Sequence, residues 1–141
     1  MIYTDNTRKA MKIAYKVHDG QVDKAGLPYI FHPIHLAEQM DTEEECIVAL
    51  LHDVVEDTDV TFEDLEKEFS QTVIDALKLL THDKSVDYME YEKKIKNNPI
   101  ARNVKLADLK HNSDMTRLLS VTEKDIERYN KYQKAIQILS E

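Results

Sequence analysis

The chain has 141 residues, a formal net charge of −8, 42% hydrophobic residues, and only 2 Gly and 3 Pro. It is long enough to bury one sizeable core, it has little turn material, and its wealth of Ala, Leu, Glu and Lys favours helices over sheet. The acidic balance excludes a general nucleic-acid binder, which displays a basic face. No window approaches the roughly eighteen apolar residues of a membrane span. The opening MIYTDNTRKAMKIAY also lacks the apolar stretch of a signal peptide. The lone Cys46, inside the apolar run CIVALL, reads as a small buried hydrophobe. These features predict one cytoplasmic domain over residues 1–141, without membrane or nucleic-acid partners, and they leave the oligomeric state open.

In chain order, a first helix is expected from about Thr7 to Val17, where Ala10, Met11, Ile13, Ala14 and Val17 form an apolar stripe. It should stop near Asp19-Gly20 and lead into a loop from Gln21 to Phe31. A second helix begins around Pro33 and ends near Met40. Thr42 followed by Glu43, Glu44 and Glu45 reads as a capping box opening a third, CIVALLHDVVED, which is apolar nearly all round and so should be central. Thr61 with Asp64 opens a short fourth helix, and TVIDALKLLTHD makes a fifth. A sixth covers Asp87 to Lys96 until Asn97-Asn98-Pro99 breaks it. IARNVKLADLKHNSD makes a seventh, and TEKDIERYNKYQKAIQIL an amphipathic last one. On the last, Ile126, Ala135, Ile136 and Leu139 are expected to close the core. The expected fold is all-α, a compact bundle of about eight helices.

The dipeptide His-Asp occurs as His18-Asp19, His52-Asp53 and His82-Asp83. The first and last sit at helix ends, where histidine is an ordinary cap. His52-Asp53 lies instead within the most apolar segment. An unpartnered buried aspartate there would cost several kcal/mol. Glu56 and Asp57 follow one turn on, so three carboxylates crowd one helix and repel one another unless a cation sits among them. A divalent metal ion answers that repulsion.

Further candidates come from elsewhere. His32 stands in PYIFHP, and His35 follows it with the spacing of a possible pair, although His35 is expected to face solvent or pack on a neighbour. In VKLADLKHNSD, Asp108 falls among Leu106, Ala107 and Leu109, with Asn112 at the i+4 position and His111 adjacent to that face. The run from Lys93 to Lys110 carries Lys93, Lys94, Lys96, Arg102, Lys105 and Lys110, readable either as a solvated face or as a wall attracting a small anion such as a nucleotide phosphate.

Together, His32, His52-Asp53 and Asp108 resemble the HD-type metal-dependent phosphohydrolases. The segments PYIFHP, ALLHDVVEDT and VKLADLKHN resemble the hydrolase domain of the RelA/SpoT-type (p)ppGpp enzymes and their small single-domain relatives, over roughly Gly20 to Asp114. The resemblance implies a helical HD fold, one divalent metal ion, and hydrolysis of the 3′-pyrophosphate of guanosine tetra- or pentaphosphate. It further implies that His32, His52, Asp53 and Asp108 are metal ligands and that Glu56 and Asp57 are catalytic acids. Asn112 would contact substrate, with Lys24 and Lys105 positioning phosphates. Mixed nitrogen and oxygen ligands suit Mn²⁺, with Fe²⁺ or Zn²⁺ also compatible. Two departures stand out: Asp23-Lys24 where the family has a basic pair, and Leu109 and Asp114 where it has arginines. Two other readings remain open, hydrolysis of another nucleotide phosphoester and nucleotide sensing without turnover.

Overall fold

The structure is a computed structural model that describes residues 1–141. Nine α-helices and one 3₁₀ turn carry the chain: α1 (Asp5–Val17), α2 (Phe31–Glu38), α3 (Glu43–Leu51), α4 (Val54–Asp57), α5 (Phe62–Glu66), α6 (Gln71–Leu80), α7 (Tyr88–Ile95), α8 (Pro99–Asn112), the turn Met115–Arg117 and α9 (Glu123–Ser140). The only β pairing is an isolated antiparallel bridge, Val22 with Pro28, so the all-α expectation holds.

Capping chemistry sets most of the helix starts. Thr4, Thr61 and Thr122 each form reciprocal capping boxes, and Ser70, Asp87 and Asn98 accept first-turn amides. At Thr42 only half of the expected box forms. Its hydroxyl accepts from the Glu45 amide (3.2 Å), while the Glu45 carboxylate takes the Thr42 hydroxyl (2.9 Å) and Asn103 Nδ2 (2.7 Å). The start of α3 is thereby tied to α8. Gly20, at φ +83°, supplies the left-handed turn that ends the first helical segment.

The apolar circumference of α3 places it at the centre. Every residue from Glu45 to Leu51 is buried, and α1, α2, α6 and α8 all pack on it. On α9, Ala135 and Leu139 close the core as expected, but Ile126 does not, being exposed on the outer first turns.

One expected helix is two. The segment CIVALLHDVVED breaks at His52-Asp53 into α3 and α4, which accounts for nine helices against about eight. The cause is local. Nδ1 of His52 lies 2.7 Å from the Ala49 carbonyl, which an unbroken ladder would give to the Asp53 amide; that amide makes no such bond. Asp53 sits at φ −106°, ψ 2°, and α4 restarts behind it. The break lets His52 and Asp53 turn inward together instead of diverging around a regular helix.

Candidate metal centre

Four elements converge on one point. His32 comes from the first turn of α2, where it is 3% exposed, and His52 and Asp53 come from the break between α3 and α4. Asp108 comes from the buried face of α8. The tightest group of ligand atoms is His32, His52 and Asp53, all within 4.8 Å of one another. Asp108 joins through the two histidines: its Oδ1 is 2.9 Å from His32 Nε2 and 3.5 Å from His52 Nε2. Four residues that sequence reasoning singled out, more than 70 positions apart at the extremes, thus lie together.

The charges explain what the cluster wants. Burial opposes ionisation of Asp108, but Lys105 first, then the hydrogen bond from His32 and the nearby His52, hold its carboxyl well below the usual range. Burial likewise disfavours a charged His52, yet Asp53 and Asp108 push its pKa well above the ordinary value. The cluster therefore attracts positive charge. His52 meets this demand badly by itself. Its Nε2 is only 2.9 Å from Asp53 Oδ2 but misaligned, and that nitrogen is a buried polar atom with no hydrogen-bond partner. Meanwhile Nδ1, committed to the Ala49 carbonyl, carries the proton in the neutral ring. In that ring Nε2 turns its lone pair toward two carboxylates, a place that a proton or a metal cation fills, so the residues fit a divalent metal, with His32, His52, Asp53 and Asp108 able to hold it.

The remaining expected residues surround this point. Glu56 and Asp57 lie on α4. The Glu56 carboxylate accepts the His82 backbone N–H, and burial first, then Asp53 and Asp57, raise its pKa. Asp57 is raised by burial and by Asp53. Asn112 donates through Nδ2 to Asp108 Oδ1 (3.0 Å). Lys105 is mostly buried, 3.1 Å from Asp108 Oδ2, 4.0 Å from the fully buried Glu92, and over the Tyr91 ring. Of the basic run Lys93–Lys110, it alone lines either of the two cavities beside the ligand group; Lys93, Lys94 and Lys110 are exposed. Lys24 stands on the loop before α2, 3.9 Å from Asp125.

Two cavities open here. One, about 320 Å³, is lined by Lys24, Tyr29, His32, Asn112, Arg128 and Tyr132 among others; the second, about 190 Å³, by His52, Asp53, Glu56, Lys105, Asn112 and Lys131. Asn112 and Tyr132 belong to both, so the two form one trough running past the ligand group. Asp23, at the wall of the larger cavity, accepts the Ala25 (2.9 Å) and Leu27 (3.0 Å) amides through Oδ1 and faces Arg117 at 3.7 Å through Oδ2. Its charge is thus spent on shaping the loop.

A model of the family described as HD domain matches residues 10–128. The chain belongs to the HD-domain family. Among curated relatives, the chain is 43% identical over 101 residues to guanosine-3′,5′-bis(diphosphate) 3′-pyrophosphohydrolase MESH1 of Danio rerio, covering 64% of this chain and 56% of that one. It is 43% identical over 70 residues to the bifunctional (p)ppGpp synthase/hydrolase SpoT of Escherichia coli K12, covering 47% of this chain and 10% of that protein. To the putative GTP diphosphokinase RSH1 of Oryza sativa it is 51% identical over 69 residues, 45% of this chain and 8% of that one. In each case the match spans little more than half of the relative, or far less. A solved structure, that of a metazoan ortholog of SpoT that hydrolyzes ppGpp, superposes with a TM-score of 0.78 at 28% identity, over 99% of this chain and 88% of that one. No helix of this HD-domain chain is long and apolar enough to cross a membrane.

Other histidines occupy structural places. His18 caps α1, its Nδ1 2.8 Å from Gln21 Oε1 and its ring against Tyr29, and His82 Nε2 meets the Val86 carbonyl at 2.9 Å. His35 is exposed, as expected, with its ring 4.2 Å from that of His111.

Sequence reasoning missed Tyr29, whose hydroxyl donates to Asp53 Oδ2. The available signal was its place in PYIFHP, three residues before His32. It also missed Arg117, Arg128, Tyr129 and Tyr132 as cavity walls, because the register of α9 against α8 cannot be read from periodicity. Tyr29→Phe is expected to weaken divalent-metal binding about 10-fold, since groups that orient a ligand typically contribute that much. A titration followed by Mn²⁺ electron paramagnetic resonance measures this, and unchanged affinity would show the hydroxyl to be idle.

Proposed function

We propose that residues 1–141 act as one cytoplasmic HD-type hydrolase domain that removes the 3′-pyrophosphate from guanosine tetra- or pentaphosphate, with one Mn²⁺ held by His32, His52, Asp53 and Asp108. The observation that carries this reading is the ligand group itself: His52, Asp53 and Asp108 line one cavity with Glu56, and His32 lines the adjoining one, with Asn112 and Tyr132 common to both. The names of the relatives supply the substrate, since Danio rerio MESH1 and Escherichia coli SpoT are both named for (p)ppGpp chemistry.

The trough suits such a molecule. The larger cavity offers the Tyr129 and Tyr132 rings to a nucleoside and Lys24 and Arg128 to its phosphates. The smaller one offers Lys105 and Lys131 to the leaving pyrophosphate. Asp23 does not repel phosphate as a free acid would, because Arg117 faces it and two amides occupy it. A divalent metal bound by the four ligands supplies Lewis-acid polarisation of water and of the phosphoryl oxygens. Glu56, whose carboxyl is raised toward neutrality, orients the attacking water, takes its proton and returns it to the departing oxygen, with Asp57 alongside. Asn112 holds Asp108 on one side and the substrate on the other.

The test is release of pyrophosphate and phosphate from a panel of nucleotides, including guanosine tetraphosphate, with Mn²⁺ present or chelated. The expected result is Mn²⁺-dependent pyrophosphate release from the tetraphosphate. Phosphate release from a different nucleotide instead would retain the centre and replace the substrate. Binding without turnover of any would make the domain a sensor.

A further inference from the structure

A histidine contact that the proposed chemistry does not use lies directly behind a ligand. Nδ1 of His32 is 2.7 Å from Nδ1 of His111. The two rings are parallel within 6° and their centroids are 5.0 Å apart, so they meet nitrogen edge to nitrogen edge and not face over face. Two ring nitrogens at that distance share one proton: one donates and the other accepts.

Which one donates is set by the far side of His32. There, Nε2 belongs to the ligand group and faces Asp108 Oδ1 at 2.9 Å. A nitrogen that gives its lone pair to a cation carries no proton, so the proton of the ring must stand on Nδ1, and His111 Nδ1 must accept it. The proton of His111 then stands on its own Nε2. If His32 Nε2–H instead donates to Asp108, the roles reverse and His111 Nδ1–H donates to His32. The two arrangements hold the same number of protons. Passing from the second to the first moves the proton of each ring to its other nitrogen, and none is released by either ring.

The fold holds His111 for this contact. It lies three residues after Asp108 on α8, so one helix delivers both a ligand carboxylate and the acceptor behind a ligand histidine. Its carbonyl accepts Arg117 Nη1 at 2.9 Å, and its ring rests on that of His35, one turn beyond His32 on α2.

We propose that His111 is a positioning residue of the metal centre: it accepts the Nδ1–H of His32, which fixes the tautomer that turns the Nε2 lone pair toward the metal. This rests on the metal reading above. Two measurements on the full chain test it, Mn²⁺ affinity by electron paramagnetic resonance and ¹⁵N NMR of the histidine rings during addition of Zn²⁺. His111→Phe keeps a flat ring against His35 and loses the acceptor; His111→Asn keeps an acceptor. We expect His111→Phe to lose about 10- to 100-fold in Mn²⁺ affinity, His111→Asn to recover most of it, and Zn²⁺ to shift the protonated nitrogen of His111 to Nε2. If His111→Phe does not fold, His111→Ala against His111→Asn makes the same comparison. Wild-type affinity in the Phe or Ala variant, an Asn variant as weak as either, or a His111 tautomer that ignores Zn²⁺ would each overturn the inference. A wild-type chain that binds no Mn²⁺ would instead sink the metal reading itself, and this inference with it.

Discussion

Asp53→Ala is expected to abolish the Mn²⁺-dependent rise in melting temperature and to lower turnover by about 10³-fold, because a metal contributes several kcal/mol to a phosphoryl transition state and each 1.36 kcal/mol is worth tenfold. The reason lies in what Asp53 holds. It accepts the Tyr29 hydroxyl, stands 2.9 Å from His52 Nε2, and is the foremost charge raising the pKa of His52. Without it, Tyr29 and His52 lose their common partner, and His32, His52 and Asp108 are left as an incomplete ligand set with a single carboxylate. The variant should still fold, since Asp53 ends no hydrophobic contact and sits where the helix is already broken. Helix content by circular dichroism, melting with and without Mn²⁺, and pyrophosphate release would be measured side by side. A variant that kept both the metal-dependent shift and the activity would remove Asp53 from the centre.

Glu56→Gln should separate chemistry from metal binding. The glutamine side chain retains an oxygen to accept the His82 amide, so the local fold and the Mn²⁺ affinity are expected to stay as they are. Turnover should fall by about 10²- to 10⁴-fold, the usual contribution of a positioned general base. The pH dependence supplies the sign. Burial first, then Asp53 and Asp57, raise the Glu56 pKa, against the opposing hydrogen bond from His82 and the charge of Lys105. The base form is lost as pH falls through that raised value, so the acid limb of the wild-type rate lies above the pKa of a free glutamate, about 4.3. Glu56→Gln should erase that limb. A variant retaining wild-type turnover, or the same acid limb on a lower rate, would transfer the role of base to another group, with Asp57 the nearest.

His52-Asp53 was conspicuous because charge in an apolar helix is expensive and needs a reason. Asp108 was legible on the same ground, flanked by Leu106, Ala107 and Leu109. Helix starts at Thr42 and Thr61 followed from side-chain oxygens that satisfy free amides locally; the like box at Thr122 carries the same signal, which sequence reasoning missed. The break at Asp53 was not legible. It depends on the His52 ring taking the Ala49 carbonyl, a competition that periodicity does not report. Lys105 looked like one member of a basic wall; only packing of α7 against α8 shows it enclosed between Asp108 and Glu92.

The all-helical class, the order of most helices, the caps at Thr42 and Thr61 and the burial of His52-Asp53 and Asp108 could be read from sequence, because these follow from interactions within a few residues; the burial of Thr7, Glu45 and Glu92 could not. The tertiary structure alone decided that Tyr29 reaches Asp53, that Arg117 faces Asp23, that α9 walls the trough with Arg128 and Tyr132, and that His111 backs His32. Those contacts depend on the register and angle at which distant helices pack. That geometry is set by how the side chains of the whole core fit together, which no local stretch of sequence encodes.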